Sequence, residues 1–336
     1  MKHLRLLLFP FALIYGLIVF IRYQLYDLGV LTSTKFDLPL ICVGNLSFGG
    51  TGKSPLIAAI VNQLSNEYNM ASLSRGYKRS TRGFRLVEAS DDVSSVGDEP
   101  LQFKSTFNTQ LTVAVCENRV QGVLNLLKLK PKTELVLLDD AFQHRKINPG
   151  LSILLTTYKD LYVDDELLPV GNLRDAKYAA NRAEIVMVTK CPQNLSINEQ
   201  ELISKKLKLT TKQSLYFSTI KYSELIYSIK SELKLSDLND FILVTGIANP
   251  KPLVQFLKSQ GKKFKHHEFA DHHNFNLAEI NHLKSYKKPI LTTTKDFMRL
   301  KSNFDDKSLY HLPIQSQIIQ KEKAFYDELR QFIDSF

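Results

Sequence analysis

Six short apolar runs punctuate the first 190 residues: LICVG (40–44), MASLS (70–74), LTVAV (111–115), ELVLL (134–138), LSILL (151–155) and EIVMV (184–188). Several are continuously apolar rather than alternating, the pattern of strands covered on both faces. Helical periodicity separates them at Ser54–Leu64 and Asn118–Lys128. In the first, Leu56, Ile57, Ile60, Val61 and Leu64 share one face, and Pro55 sits in the first turn, where its missing N–H costs nothing. Alternation of strand and helix predicts an α/β fold with a mostly parallel sheet and helices on both faces. Ligands in such folds gather at the carboxyl ends of the strands.

Beyond Leu207 the chain turns rich in lysine and serine, with two β-like runs, SLYFSTI and SELIYSI, before a second strand–helix set begins. That set comprises FILVTGI (241–247), FKHHEF (264–269), PILTTT (289–294) and SLYHL (308–312), with helices near Lys251–Ser259 and Leu277–Tyr286. Gln320–Phe336 reads as an amphipathic helix suited to pack back on the first unit. The expected division is an N-terminal helix (1–30), a larger α/β core (31–210), a β-rich linker (211–240), a smaller α/β domain (241–315) and a C-terminal helix (316–336).

Leu6–Ile21 carries no charge over 16 residues and is bracketed by Arg5 and Arg22. As a helix it would be ~24 Å long, short of a ~30 Å hydrocarbon core. It has no A-x-A cleavage pattern. A peripheral membrane anchor is the leading reading, with a true span and a buried core helix as alternatives. Pro10 and Gly16 weigh against a straight span, and Tyr15, Tyr23 and Tyr26 suit an interface.

Composition adds three limits. With 44% apolar and 23% charged residues the chain is globular rather than disordered. A net charge of +10 suits anionic partners, though its lysines are scattered. No concentrated basic stripe with interleaved aromatics is present, so nucleic acid is not an expected partner. Three widely spaced cysteines, Cys42, Cys116 and Cys191, read as reduced thiols.

GNLSFGGTGKSP, Gly44–Pro55, follows an apolar strand and opens a helix, the context of a phosphate-binding loop. Gly49, Gly50, Thr51 and Gly52 would offer backbone N–H groups to phosphates. Lys53 would reach the terminal phosphates, and Ser54 would offer its hydroxyl to Mg²⁺. The strict pattern wants glycine at 47, where this chain has Ser47. LVLLDDAFQH delivers Asp139 and Asp140 to a strand end, where a metal–nucleotide site needs carboxylates, and Gln143 and His144 follow. SVGDEP supplies Asp98 and Glu99, and Asp98 is a candidate base for an attacking hydroxyl. Alternatively these acids belong to a turn or a helix cap. ADHHNF places His272 and His273 in the second domain; adjacent side chains diverge, so one of them would act. Arg75, Arg119 and Arg174 are candidates for clamping phosphate oxygens.

Taken in order, VGNLSFGGTGKSP, LSRGY, VGDEP, LLDDAFQH, LLPVGNLRD, VTK, FADHHNF and TTTKD closely resemble the tetraacyldisaccharide 4′-kinase family of lipid A biosynthesis. Ser47, Ser54, Ala141 and Asp175 are mild departures from that family's pattern. The resemblance implies a two-domain P-loop kinase at the cytoplasmic face of the bacterial inner membrane. It implies transfer of the γ-phosphate of ATP to the 4′-hydroxyl of a tetraacyldisaccharide 1-phosphate, giving lipid IVA. Asp98 would be the base and His272 its partner across the cleft. Lys53 would hold the phosphates, and Ser54, Glu99 and Asp140 would serve Mg²⁺ with Asp139 nearby. Arg75, Arg119, Gln143, His144, Arg174 and Asp175 would line the site. No obligate protein partner is implied. A peripheral membrane P-loop switch ATPase is the alternative; it explains the loop and the N-terminus but not Asp98 or His272.

Overall fold

The computed structural model describes residues 5–336; residues 1–4 of the expected N-terminal segment lie outside the described residues. The first part of the chain contributes β1 (Leu40–Asn45), β2 (Met70–Ser74), β3 (Arg85–Leu86), β4 (Leu111–Val115), β5 (Leu135–Asp139), β6 (Leu151–Thr157), β7 (Ile185–Thr189) and β8 (Ser214–Tyr222). The second contributes β9 (Leu225–Tyr227), β10 (Glu232–Lys234), β11 (Phe241–Thr245), β12 (Phe264–Glu268), β13 (Ile290–Thr293) and β14 (Leu309–Leu312), after which β15 (Ile314–Ile318) returns to the first. The larger sheet has the order β15-β8-β7-β6-β1-β5-β2-β4-β3, and the smaller β10-β9-β14-β13-β11-β12. In the larger, only the edge strands β3 and β15 run antiparallel to their neighbours. β1, β5 and β7 are buried at every position, as their unbroken apolar runs require.

Segment 211–240 is not a linker. Its first β-like run is β8, paired parallel to β7 and antiparallel to β15 inside the larger sheet. Its second, β9, pairs with β14 in the smaller sheet. Lys221 is the exposed position of β8, whereas Ser218 is buried inside the sheet. The chain therefore crosses between sheets twice, after Tyr222 and before Ile314, and Ser223 N donates to the Pro313 carbonyl at 3.0 Å where the crossings meet. The smaller unit accordingly begins before residue 241. The C-terminal helix Glu322–Ile333 packs on the larger one, with Phe325 and Leu329 fully buried and Arg330 paired bidentately to Glu67 at 2.8 Å.

Helix Phe9–Asp27 is long and apolar enough to cross a membrane by length and composition. Only Ala12, Val19 and Tyr23 are buried, all on one face, which argues against a core helix. Tyr23 is the anchor: its hydroxyl donates to Asp175, and the guanidinium groups of Arg145 and Arg182 lie 4.8 and 5.0 Å from its ring centre. Leu7, Ile14, Leu17 and Ile21 project away from that face and are exposed.

In the smaller domain His311 packs against Phe297, with ring centres 4.6 Å apart, and burial pushes its imidazole down to about 4. An unfolded histidine titrates near ~6.5, so in acid the unfolded state binds the proton more readily. Stability present above pH ~6.5 is therefore lost as pH falls toward 4, by up to roughly 3 kcal/mol from this one group. Urea unfolding of the parent between pH 7 and 4.5 should show that slope, and His311→Gln should make it shallower, with the remainder carried by other histidines that burial pushes down, such as His144.

Candidate active site

The phosphate-binding loop leaves the carboxyl end of β1, between β5 and β6 at the centre of the larger sheet. Gly49 and Gly52 hold φ of 112° and 91°, which side-chain-bearing residues rarely adopt, so the loop can turn its backbone toward a ligand before helix Lys53–Leu64 begins. The loop is braced from below: Thr189 Oγ1 donates to the Thr51 carbonyl at 2.7 Å, and Lys190 Nζ donates to the Gly50 carbonyl. Lys53 Nζ lies 3.3 Å from Asn45 Oδ1 and 3.7 Å from Asp140 Oδ1.

β5 ends in Asp139 and delivers Asp140 just beyond it. Asp139 is buried, and its Oδ1 has no hydrogen-bond partner. Burial, and then the neighbouring charge of Glu99, push its carboxyl up to about 7. Asp140 is differently placed: burial works against its charge, but the hydrogen bonds from Arg174 and the charge of Lys53 hold it low. Arg174 spans Asp140 with contacts of 3.0 and 2.6 Å and also donates to Asn45 Oδ1 at 2.6 Å. Ser54 Oγ donates to Glu99 Oε1 at 3.1 Å.

Asp98 and Glu99 occupy the first turn of helix Asp98–Phe107 and face the second domain. His272 comes from the loop after β12, with Nδ1 3.0 Å from Asp98 Oδ2. His273 turns away to Glu279 at 2.9 Å, so the two adjacent histidines do diverge. Burial alone would raise the Asp98 carboxyl. The His272 hydrogen bond and the charges of Lys295 and Arg299 overcome it and hold the group well below the usual carboxylate range.

The remaining expected site residues separate. Gln143 Nε2 donates to the Asn45 carbonyl at 2.9 Å, next to the loop. The Arg119 backbone N–H points to His144 Nε2 at 3.4 Å, and burial, with the charge of Arg119, pushes that imidazole down to about 4. The Arg119 side chain is itself buried, its Nη1 donating to the Cys116 carbonyl at 2.8 Å. Arg75 is exposed and lines an open cleft of about 810 Å³ with Tyr77, Lys78, Arg79 and Glu117. Asp175 does not join the set: it is buried beneath the N-terminal helix, bonded to Tyr23, and Arg182 lies 3.5 Å away. Its neighbour Arg174 faces Asn45 and Asp140 while Asp175 faces the helix and bonds Tyr23.

Sequence reasoning misses four polar groups: Asn45, Lys190, Lys295 and Arg299. Lys295 donates to Glu99 Oε1 at 2.6 Å, and Arg299 donates to Asp98. The TTTKD stretch contains Lys295 and is a usable signal; for Arg299 the only signal is its position four residues later on the same helix face.

Among the described residues no three His, Cys, Asp or Glu side chains converge as a self-sufficient metal site. Mg²⁺ does not require one, since it takes one or two carboxylates and completes its shell with phosphate oxygens and water. The unpartnered, buried Asp139 Oδ1 beside Glu99 and Ser54 is a donor set that fits such an ion.

A central phosphate loop, strand-end carboxylates and a carboxylate–imidazole pair at the cleft define a P-loop phosphotransferase. A family model described as tetraacyldisaccharide-1-P 4′-kinase matches residues 4–334. The chain is 46% identical to a tetraacyldisaccharide 4′-kinase of Flavobacterium johnsoniae, over 99% of this chain and 98% of that one. It is 43% identical to one of Bacteroides thetaiotaomicron, over 96% and 91%. Its fold matches the "apo" form of LpxK from Aquifex aeolicus, crystallised in complex with ATP, with a TM-score of 0.79 at 29% identity, covering 98% and 99% of the two chains. The chain belongs to the tetraacyldisaccharide-1-P 4′-kinase family and is a kinase of lipid A biosynthesis.

Proposed function

We propose that this kinase passes the γ-phosphate of ATP to the 4′-hydroxyl of a membrane-held tetraacyldisaccharide 1-phosphate, producing lipid IVA, and that it works at the cytoplasmic face of the inner membrane. The observation that carries the reading is Asp98 and His272 meeting across the domain cleft, 3.0 Å apart, beside the phosphate loop. A switch ATPase has no use for a base there.

In this reading Gly49, Gly50, Thr51 and Gly52 surround the phosphates of ATP with backbone N–H groups, and Lys53 neutralises their terminal charge. Asp98, kept ionised by its cationic neighbours, accepts the proton of the attacking hydroxyl, and His272 orients it. Ser54, Glu99, Asp139 and Asp140 would hold Mg²⁺, which when bound screens charge on the transferring group. Arg174 keeps Asp140 turned toward Lys53. Because His272 belongs to the second domain, closure completes the site and limits wasteful hydrolysis. The exposed apolar face of helix Phe9–Asp27 would sit in the lipid and bring the cleft to the headgroup. The cleft's exposed bases, Arg75, Lys78 and Arg82, suit an anionic, phosphorylated sugar.

The test is transfer of label. Purified protein with γ-labelled ATP, Mg²⁺ and tetraacyldisaccharide 1-phosphate in detergent micelles should yield labelled lipid. ATP turnover with no label on the lipid would sink the kinase reading and favour the switch ATPase.

A further inference from the structure

Asp98 and His272 belong to different domains, so something must fix the angle between them. Arg299 is placed to do so. Its side chain is 7% exposed, which separates it from the surface lysines and arginines of this basic chain. Nη1 lies 3.2 Å from Asp296 Oδ1, while Nη2 donates to Asp98 Oδ2 and lies 2.9 Å from His272 Nδ1.

The anchor beneath it is complete. Asp296 is fully buried, and its Oδ2 accepts from Gly246 N at 2.9 Å and from Thr293 Oγ1 at 2.7 Å. The Gly246 carbonyl in turn accepts the His272 backbone N–H at 3.1 Å. The backbone that carries His272 and the guanidinium that touches its ring therefore hang from one carboxylate. His272 itself adopts φ of 58°, a conformation that persists only where the surroundings impose it. One helical turn before Arg299, Lys295 makes the second contact over the cleft, to Glu99.

We propose that Arg299 is the positioning residue of the phosphoryl-transfer pair. Held by Asp296 within the second domain, it reaches across the closed cleft and sets the Asp98 carboxylate and the His272 ring against one nitrogen. Domain opening breaks this contact and the Lys295–Glu99 contact together, so the reacting pair exists only when the cleft is shut. A guanidinium suits this role because it is planar, holds several donors in a fixed fork and keeps its charge. A lysine would bring a single mobile charge and lacks the two fixed nitrogens, Nη1 and Nη2, that meet Asp296 and Asp98 separately.

This proposal rests on the reading of Asp98 and His272 as the reacting pair, and the experiment separates the two. Lipid phosphorylation is measured for Asp98→Ala, Arg299→Ala, Arg299→Lys and the Asp98→Ala/Arg299→Ala double variant. Arg299→Ala should lose roughly 10²-fold in kcat with the KM for ATP within about twofold, the signature of an interaction made in the transition state. Arg299→Lys should recover less than about a tenth of that loss. Millimolar methylguanidinium should raise kcat of Arg299→Ala about tenfold, which repair of a merely structural defect would not do. The double variant should be no slower than Asp98→Ala, since residues acting as a unit are not additive. A near-normal kcat for Asp98→Ala removes the base reading and this proposal with it. If Asp98→Ala is crippled while Arg299→Ala stays within about twofold of the parent, or if the double variant multiplies the two losses, the positioning role alone is overturned.

Discussion

Asp98→Ala is expected to lower kcat by roughly 10²- to 10⁴-fold while ATP affinity stays within about twofold. The separation follows from the architecture. ATP contacts would come from the loop after β1, whose braces are Thr189 and Lys190 at the end of β7 rather than Asp98. Asp98 lies in the first turn of a different helix and faces His272. Its removal leaves the loop's hydrogen bonds intact but takes away the carboxylate proposed to accept the hydroxyl proton. It also leaves Arg299 with Asp296 and His272 as its remaining partners among the described residues. Asp98→Asn is the sharper variant, because it keeps the shape and removes the charge. Single-turnover transfer and equilibrium ATP binding, measured side by side, check the prediction; equal losses in both would assign Asp98 to nucleotide binding instead.

The second large effect concerns the membrane. Ile14, Leu17 and Ile21 point away from the buried stripe of Ala12, Val19 and Tyr23. Replacing all three with serine removes three large side chains from lipid contact, each worth about 1.5–3 kcal/mol on full burial, so membrane partitioning should drop at least about 10³-fold. Sedimentation with phospholipid vesicles reads this directly, and unchanged co-sedimentation would rule out docking through this face. Deleting residues 1–25 is a poorer test, because it removes Tyr23 and strands Asp175 and Arg182 in the interior. Activity on a short-chain, water-soluble acceptor should survive the triple serine variant.

What the sequence conveys divides along physical lines. The loop at Gly49–Ser54, the strand-end acids Asp139 and Asp140, and the fully buried strands are legible because each depends on its own few residues. Continuous apolar runs and a glycine–lysine pattern need no knowledge of the rest of the chain. Asp98 and His272 can be named from motifs, but their meeting is a product of how two sheets pack. Arg299 is nearly silent for the same reason: Asp296 is its local partner, but only the packing of the two units brings it to Asp98. Asp175 misleads by adjacency, since it follows Arg174 in one motif, whereas the two side chains point to opposite sides of their segment. Segment 211–240 resembles a linker because strands at and beside a sheet edge carry polar residues on their open side. Asp140 sits in the expected neighbourhood, yet its oxygens are engaged by Arg174 and Lys53, while the open carboxylate oxygen belongs to Asp139.

The paired crossings at Ser223 and Pro313 bear on how such a molecule could be assembled. β8 and β15 are antiparallel neighbours in register from Ser218 with Ile318 to Tyr222 with Ile314. In effect they form a hairpin whose turn has been replaced by an entire second domain. Because the two ends of that insert already touch, it could be cut out and replaced by a tight two-residue turn with little loop-closure cost. The product would retain the loop, Lys53 and the strand-end acids, lack His272, Lys295 and Arg299, and lay bare the part of the shared core around Leu101 and Phe103. The acceptor half of the chemistry is thus spliced into the donor half at a single hairpin, and a shared apolar core, with Phe297 and Leu300 in one cluster with Leu101 and Phe103, holds the two together.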